Sequence, residues 1–188
     1  IGEYAFYDCS SLKSVTIPPS VTRMRGYAFG NCNNLTRVDI SDLSAWCKIT
    51  FSEKAAGNPL YNGARLYLDG NEVTDLVIPS DITELKFGAF YGCSSLTSVI
   101  IPESVSTIHK SAFAHCANLT DVVISNNVTS RIGTHIFSNC SSLANVTLSE
   151  NITLISDYMF QDCSSLTNIN IPNGVTVIGE YAFHCCSS

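Results

Sequence analysis

Residues 90–108 read FYGCSSLTSVIIPESVSTI, and residues 160–178 read FQDCSSLTNINIPNGVTVI. The two segments share one order of residues: a Phe, a Cys three places later, a Leu, an apolar pair, a Pro and a second apolar pair. Self-similarity of this kind is the sequence signature of a repeat architecture. We therefore expect a solenoid, in which similar turns stack on one another without a single central core.

The repeat unit is about 23 residues long. The motif Phe-x-x-Cys places its cysteines at Cys9, Cys32, Cys93, Cys116, Cys140, Cys163 and Cys186. From each of these cysteines to the next, the residue number rises by 23, 61, 23, 24, 23 and 23, which predicts about seven turns. The spacing of 24 contains one extra residue, in VTSRI at 128–132. The spacing of 61 holds one normal turn and one long turn, so we interpret residues 1–188 as one solenoid with an insertion at residues 41–72.

Each turn is expected to contribute one β-strand. In LTSVIIP, Val99 and Ile101 are two residues apart, so both side chains point to the same side of a strand. Neighbouring turns then pair these strands into a parallel sheet, and Pro102 ends the strand because it cannot donate a ladder hydrogen bond. The second apolar pair, Val105 and Ile108 in this turn, fills the interior from the opposite wall. The predicted fold is mostly strand and irregular structure, with little helix.

The Phe and Cys residues are expected to form two columns, with each Phe ring stacked on that of the next turn. Two interpretations of the Cys column are open, namely small buried thiols and disulfides between adjacent turns. The dihedral angle that a disulfide requires is not typical of side chains stacked in parallel, which favours thiols. The total of nine cysteines also leaves at least one unpaired.

The unit CSSLTSVIIPESVSTIHKSAF at residues 93–113 resembles the leucine-rich repeat of the BspA-like type, found in bacterial and some protist surface proteins. The resemblance covers nearly the whole chain, and the long turn is similar to an insertion that recurs in this family. It implies a secreted or cell-surface protein whose repeats mediate adhesion or bind host or neighbouring-cell proteins. It does not imply a particular ligand, since repeat folds are generic scaffolds.

The long turn carries its own local signals. Ser41 or Asp42 can cap a short helix that contains Trp46. Asp69-Gly70 stands between two apolar runs, which predicts a β-hairpin. The aromatic residues Trp46, Tyr61 and Tyr67 either seal the interior where the Ala-Phe unit is missing or bind a partner from an exposed position.

The composition excludes several classes of partner. Charged residues make up 14% of the chain, against about 25% in typical globular proteins. The net charge is −6 with ten Lys and Arg, so no basic stripe is available for nucleic acid. No apolar run approaches the roughly 18 residues of a membrane span. Both ends fall in the middle of a repeat, so we expect a piece of a longer protein.

Residues that could perform chemistry are scattered. The four histidines fall in four different columns of the repeat; they are His109, His115, His135 and His184. The nearest approach to a zinc site is the run of His184, Cys185 and Cys186, but alternation along the chain argues against convergence. We therefore expect no catalytic residue, no metal and no cofactor.

The outward strand positions are the expected binding surface, because solenoids bind through their extended sheet face. One outward column is Ser14, Arg37, Asp75, Ser98, Asp121, Asn145 and Asn168; the other is Thr16, Asp39, Val77, Ile100, Val123, Thr147 and Asn170. The first column predicts that Arg37 and Asp75 are neighbours and pair. In the second, Val77, Ile100 and Val123 form an apolar stripe between polar residues.

The apolar stripe has three interpretations. It is a docking patch for a partner, a set of good strand formers, or a surface covered by the insertion at residues 41–72. The candidate partner-binding residues are Val77, Ile100, Val123, Arg37, Asp39, Asp75, Asp121, Asn145, Trp46 and Tyr61.

Three functions compete at this point. The first is a non-catalytic adhesion or recognition module that binds an extracellular protein of the host matrix or of a neighbouring cell. The second is a spacer or accessory domain of a larger secreted enzyme. The third, an enzyme in its own right, requires a pocket with converging His and carboxylate groups.

Overall fold

The computed structural model describes residues 1–53, 57–129 and 131–186 of the chain. Residues 54–56 of the predicted insertion and Ser130 of the VTSRI segment lie outside the described residues. The elements are β1 Ser14–Ile17, β2 Arg23–Met24, β3 Arg37–Ile40, α1 Leu43–Cys47, β4 Thr50–Phe51, β5 Arg65–Leu68, β6 Asn71–Glu72, β7 Asp75–Val77, β8 Glu84–Leu85, β9 Ser98–Ile101, β10 Thr107–Ile108, β11 Asp121–Ile124, β12 Asn145–Thr147, β13 Leu154–Ile155 and β14 Val177–Ile178. The structure confirms a β-solenoid with almost no helix.

The main strands pair in parallel, residue for residue, from one turn to the next. They form two four-stranded sheets, in the orders β1-β3-β5-β6 and β12-β11-β9-β7. The sequence predicted one continuous ladder, and the structure differs in two places. The antiparallel strand β6 occupies the free edge of β5 and ends the first sheet. Residues 168–171 form no strand in the described part of the chain, where Asn168 and Asn170 are poor strand formers.

A second set of short parallel strands forms another wall of the solenoid. These two-residue strands pair as β2 with β4, β8 with β10, and β13 with β14. In each described pair, the second residue of both strands is apolar, as in Met24 beside Phe51 and Leu85 beside Ile108. All four of these side chains are buried. The second apolar pair therefore closes the interior in these turns, as the sequence predicts, whereas Val177 and Ile178 of the last turn are both 52% exposed.

The stacked Phe rings form the centre of the interior. Phe90, Phe113, Phe137 and Phe160 are completely buried or nearly so, and consecutive ring centroids are 5.3, 5.6 and 5.7 Å apart. Adjacent rings are within 9° of parallel. This column confirms the predicted stacking.

The Cys column consists of free thiols. The Sγ of Cys116 donates to the carbonyl oxygen of Phe90 at 3.1 Å, and Cys140 and Cys163 make the same contact with the Phe of the preceding turn. Burial raises the pKa of the Cys116 and Cys140 thiols well above the ordinary value, so both stay protonated and can donate. The buried-thiol interpretation thus holds for the middle turns, whereas Cys9 is exposed and Cys186 is half-buried.

Two residues of each regular turn have a left-handed backbone, and one of them lies two places before the Phe. We call it the left-handed position; it is held by Tyr4, Tyr27, Gly88, Ser111, His135, Tyr158 and Tyr181, with φ between 54° and 59°. Non-glycine residues pay a steric cost in this region. Backbone hydrogen bonds to the next turn stabilise it, as between the Tyr158 N–H and the Glu180 carbonyl at 2.9 Å.

The long turn folds as the local signals predict. Asp42 caps α1, because its Oδ1 accepts from the Ala45 N–H at 2.9 Å. Asp69 and Gly70 both have positive φ, at 48° and 81°, as expected of a type I′ hairpin between β5 and β6. Trp46 is only 1% exposed, and its Nε1 donates to the Ala89 carbonyl at 3.1 Å. The interpretation that Trp46 seals the interior is confirmed, and its assignment to the partner-binding surface is wrong.

Candidate protein-binding surface

The apolar stripe lies in register across three adjacent strands. Val77 pairs with Ile100, and Ile100 pairs with Val123. The three residues are 56%, 43% and 40% exposed, while the residues on either side of Ile100 in β9 are buried. The described residues of the insertion therefore do not cover the stripe, which contradicts this alternative from the sequence. Alternation along each strand directs one set of side chains into the interior and the stripe toward solvent.

A polar column runs beside the apolar stripe. The Ser98 hydroxyl donates to Asp75, and the Asn145 Nδ2 donates to Asp121 at 2.8 Å. The Thr120 hydroxyl also donates to Asp121 at 2.6 Å, and these two bonds lower the pKa of that carboxyl, with Thr120 as the larger cause. The stripe is thus flanked by two carboxylates, Asp75 and Asp121, each held by a neighbouring turn.

The insertion changes the surroundings of Arg37. Its guanidinium donates to Asp39 through Nε at 2.8 Å and through Nη2 at 2.6 Å, and its Cζ lies 3.8 Å from the centre of the Tyr67 ring. The predicted pair of Arg37 and Asp75 is wrong, because β5 lies next to β3 and places Arg65 opposite Arg37. Arg65 in turn pairs with Glu72 of the hairpin at 3.1 Å.

The regular repeat did not identify Arg65 as an outward residue, and Tyr67 was left open between sealing the interior and binding a partner. A signal was present, since RLYL at residues 65–68 has the alternation of RVDI at residues 37–40. The two segments pair in register as β5 and β3. The long turn therefore keeps its strand and adds to the outward face, although it lacks the Ala-Phe-x-x-Cys unit.

An open cleft lies between the hairpin and the second sheet. It has a volume of about 530 Å³, and its lining includes Leu68, Glu72, Asp75 and Val77. Since Val77 belongs both to the cleft and to the stripe, the two form one continuous surface. Tyr61 is not part of it: this residue is 36% exposed and stacks on Tyr91, with ring centroids 5.2 Å apart.

Groups that could bind a metal approach one another at one place in the described residues. Ligand atoms of Asp162, His184 and Cys185 lie within 4.8 Å of one another, and all three side chains are at least partly exposed. Cys186 is not part of this group, because its Sγ donates to the Phe160 carbonyl at 3.1 Å. Of the run His184, Cys185 and Cys186, the structure therefore brings only His184 and Cys185 together, with Asp162 as the third group.

Comparison with known proteins assigns the repeats. The sequence profile of the BspA type leucine-rich repeat region matches six copies, over residues 1–56 and 64–188. The chain belongs to the BspA-type leucine-rich repeat family. A comparison with proteins of curated function found no match. BspA-type repeats are typically non-catalytic, and leucine-rich repeat proteins mediate protein–protein interaction.

Solved structures of bacterial proteins share the fold. The T. pallidum leucine-rich repeat protein is 26% identical with a TM-score of 0.59, over 89% of this chain and 73% of that protein. A leucine-rich cell surface protein from Faecalibacterium prausnitzii is 28% identical with a TM-score of 0.59, over 96% of this chain and 53% of that protein. The BspA-type chain thus spans about half the length of the second relative. Among its described residues, none of the helices has the length and apolar character that crossing a bilayer requires.

Proposed function

We propose that the chain is a non-catalytic protein-recognition or adhesion module, secreted or displayed at a cell surface. It binds an extracellular protein, of the host matrix or of a neighbouring cell, through the apolar stripe. The exposure of Val77, Ile100 and Val123 on adjacent strands is the observation that carries this proposal. Contiguous apolar surface rimmed by polar residues is typical of protein interaction sites.

The surroundings of the stripe indicate the chemistry of the partner. Asp75 and Asp121 flank it on one side, and Glu72 lines the cleft where it ends. The chain as a whole carries a net charge of −6. Complementary potentials steer association and fix register. A partner that fits this surface presents an apolar ridge with basic residues at its edge.

The surface location is supported by the family and by one relative. The F. prausnitzii protein is described as a cell surface protein, and BspA-type repeats are often surface-associated. A parallel sheet of stacked turns also offers the extended face that repeat proteins use for binding. No step of this proposal needs a cofactor or a catalytic residue.

The substitution Ile100→Lys tests the proposal. We expect it to weaken binding by at least about tenfold, because it places a charge in the middle of the apolar contact. Binding of the purified chain to a panel of extracellular matrix proteins, including fibronectin and fibrinogen, is measured by surface plasmon resonance. The matched control is Thr16→Lys, which adds the same charge at an exposed position of the same outward column in β1.

The outcomes separate the functions. Saturable binding that Ile100→Lys loses and Thr16→Lys keeps supports recognition through the stripe. Binding that both variants keep rejects the stripe as the site. Binding to no member of the panel favours the spacer or accessory function.

A further inference from the structure

A small aromatic pocket opens beside the left-handed position of the turn that follows the insertion. Its volume is about 190 Å³, and the residues that carry its chemistry are Phe51, Glu53, Tyr61, Phe87, Gly88 and Tyr91. None of these residues belongs to the apolar stripe or to its cleft. The pocket is therefore a second site, independent of the proposed docking surface.

A side chain is missing from a repeated position at the edge of the pocket. The left-handed position carries a tyrosine in four turns, at Tyr4, Tyr27, Tyr158 and Tyr181, but Gly88 in this one. Gly88 has the same backbone, with φ of 56°, and an added Cβ would meet only the Cβ of Tyr91, at 3.6 Å. The space that a tyrosine ring takes in those turns is left open here.

The residue before Gly88 is also unusual. At the position of Phe87, the other regular turns carry Glu3, Gly26, Lys110, Thr134, Asp157 and Glu180. Phe87 is partly buried and packs against the hydrophobic core. An aromatic ring thus replaces a polar or small residue at the same place where the tyrosine is absent. The absent tyrosine leaves the recess open, and Phe87 gives it an apolar wall.

The walls of the pocket are held in place by hydrogen bonds. The Nδ2 of Asn58 donates to the Gly88 carbonyl at 2.8 Å, and its Oδ1 accepts from the Leu60 N–H at 2.9 Å. The Tyr91 ring lies between Tyr61 and His115, at 5.2 and 4.9 Å. Burial, with a smaller contribution from Tyr61, raises the pKa of Tyr91 to about 12, so its hydroxyl stays neutral.

The negative charge at the pocket favours a cationic ligand. Glu53 is the only charged residue among the described residues of the lining, and it is exposed. Aromatic rings and a carboxylate together attract a cation and repel an anion. Lysine and arginine side chains have an apolar stem and a cationic end, which suits an aromatic recess with a carboxylate beside it.

The size of the pocket limits the ligand to one side chain. Pockets for drug-sized molecules have volumes of about 300–1,000 Å³, and this one has about 190 Å³. We propose that it receives a single lysine or arginine side chain of a protein partner, with the stem against Phe51, Phe87 and Tyr61 and the cation at Glu53. Protein interfaces commonly place one anchor residue in such a pocket.

The test uses Nα-acetyl-lysine amide as the probe and Nα-acetyl-norleucine amide as its uncharged match. Trp46 is the only tryptophan, and its ring centroid is 5.5 Å from that of Phe51, so its fluorescence reports on the pocket. We expect saturable binding of the lysine probe at concentrations on the order of 1–10 mM, because so small a molecule makes few contacts. NMR titration of the lysine probe provides a second readout.

Two variants and one control identify the site. Glu53→Gln keeps the shape of the side chain but removes its charge, and it should weaken binding of the lysine probe by about tenfold. Gly88→Tyr fills the recess and should abolish binding, and four other turns show that this backbone carries a tyrosine. His135→Tyr also places a tyrosine at the left-handed position, in a turn outside the pocket, and it should bind the probe like the wild type.

Three results would overturn the proposal. One is the absence of saturable binding at tens of millimolar probe, well above the expected range. Another is equal binding of the lysine and norleucine probes, which would show that the pocket binds the apolar stem and does not select for the cation. The third is undiminished binding by Gly88→Tyr, which would move the probe elsewhere. None of these results would bear on the proposed docking at the apolar stripe, since the pocket and the cleft beside the stripe share no lining residue.

Discussion

Replacing Phe113 with Ala is expected to reduce the free energy of unfolding by about 3–5 kcal/mol. Phe113 is completely buried, and its ring lies between those of Phe90 and Phe137. Its carbonyl also accepts from the Cys140 Sγ at 3.2 Å. Removing the ring leaves a cavity between two turns that cannot collapse without moving both neighbours. Urea denaturation followed by circular dichroism measures the loss.

The matched control is the same substitution at the edge of the Phe column. Phe183 is only half-buried and stacks on Phe160 at 5.5 Å. Because less of its surface is removed from water, we expect Phe183→Ala to cost less than half as much as Phe113→Ala, roughly 1–2 kcal/mol. Equal losses at the two positions would contradict the stacked-column account of stability.

Replacing Trp46 with Ala is expected to have an effect of the same size, about 3–5 kcal/mol. Trp46 fills the interior of the long turn, where its ring packs against Phe51. The Trp46 Nε1 donates to the Ala89 carbonyl, and the Nδ2 of Asn58 donates to the same oxygen. In the Trp46→Ala variant, this carbonyl therefore still has one hydrogen-bond donor. The loss therefore comes mainly from the cavity, and thermal denaturation followed by circular dichroism measures it.

Two further substitutions define what the Trp46 result means. Trp46→Phe retains an aromatic ring and should cost less than Trp46→Ala. Tyr61→Ala removes a side chain that is 36% exposed and should cost about 1 kcal/mol or less. A Trp46→Ala variant of full stability that fails to bind a partner would instead make Trp46 a surface anchor.

The repeat period and the inward columns could be predicted from the sequence because both depend on patterns within a single turn and its immediate neighbour. Alternation at Val99 and Ile101 already indicates one buried face, and recurrence in every regular turn places equivalent side chains beside one another. The Phe stack follows from the same rule. The apolar stripe follows too, since Ile100 lies between two inward residues on the same strand.

Apart from the missing strand at residues 168–171, the features that were missed arise from the long turn, whose contacts depend on long-range packing. The sequence does not show that β6 ends the first sheet, so the pairing of Arg37 with Asp75 was a wrong extrapolation of the regular repeat. The position of Trp46 also depends on a carbonyl 43 residues away. The pocket at Gly88 was missed because a glycine reads as a turn residue until its neighbours are known.

We expect the inward columns to hold the fold and the apolar stripe to stay free for a partner. The most direct measurement is the free energy of unfolding of Ile100→Lys beside that of Ile101→Ala, its completely buried neighbour on β9. We predict that Ile101→Ala loses about 2–5 kcal/mol and that Ile100→Lys changes stability by less than about 0.5 kcal/mol. A loss at Ile100→Lys as large as that at Ile101→Ala would show that the stripe is part of the core, and would contradict the account.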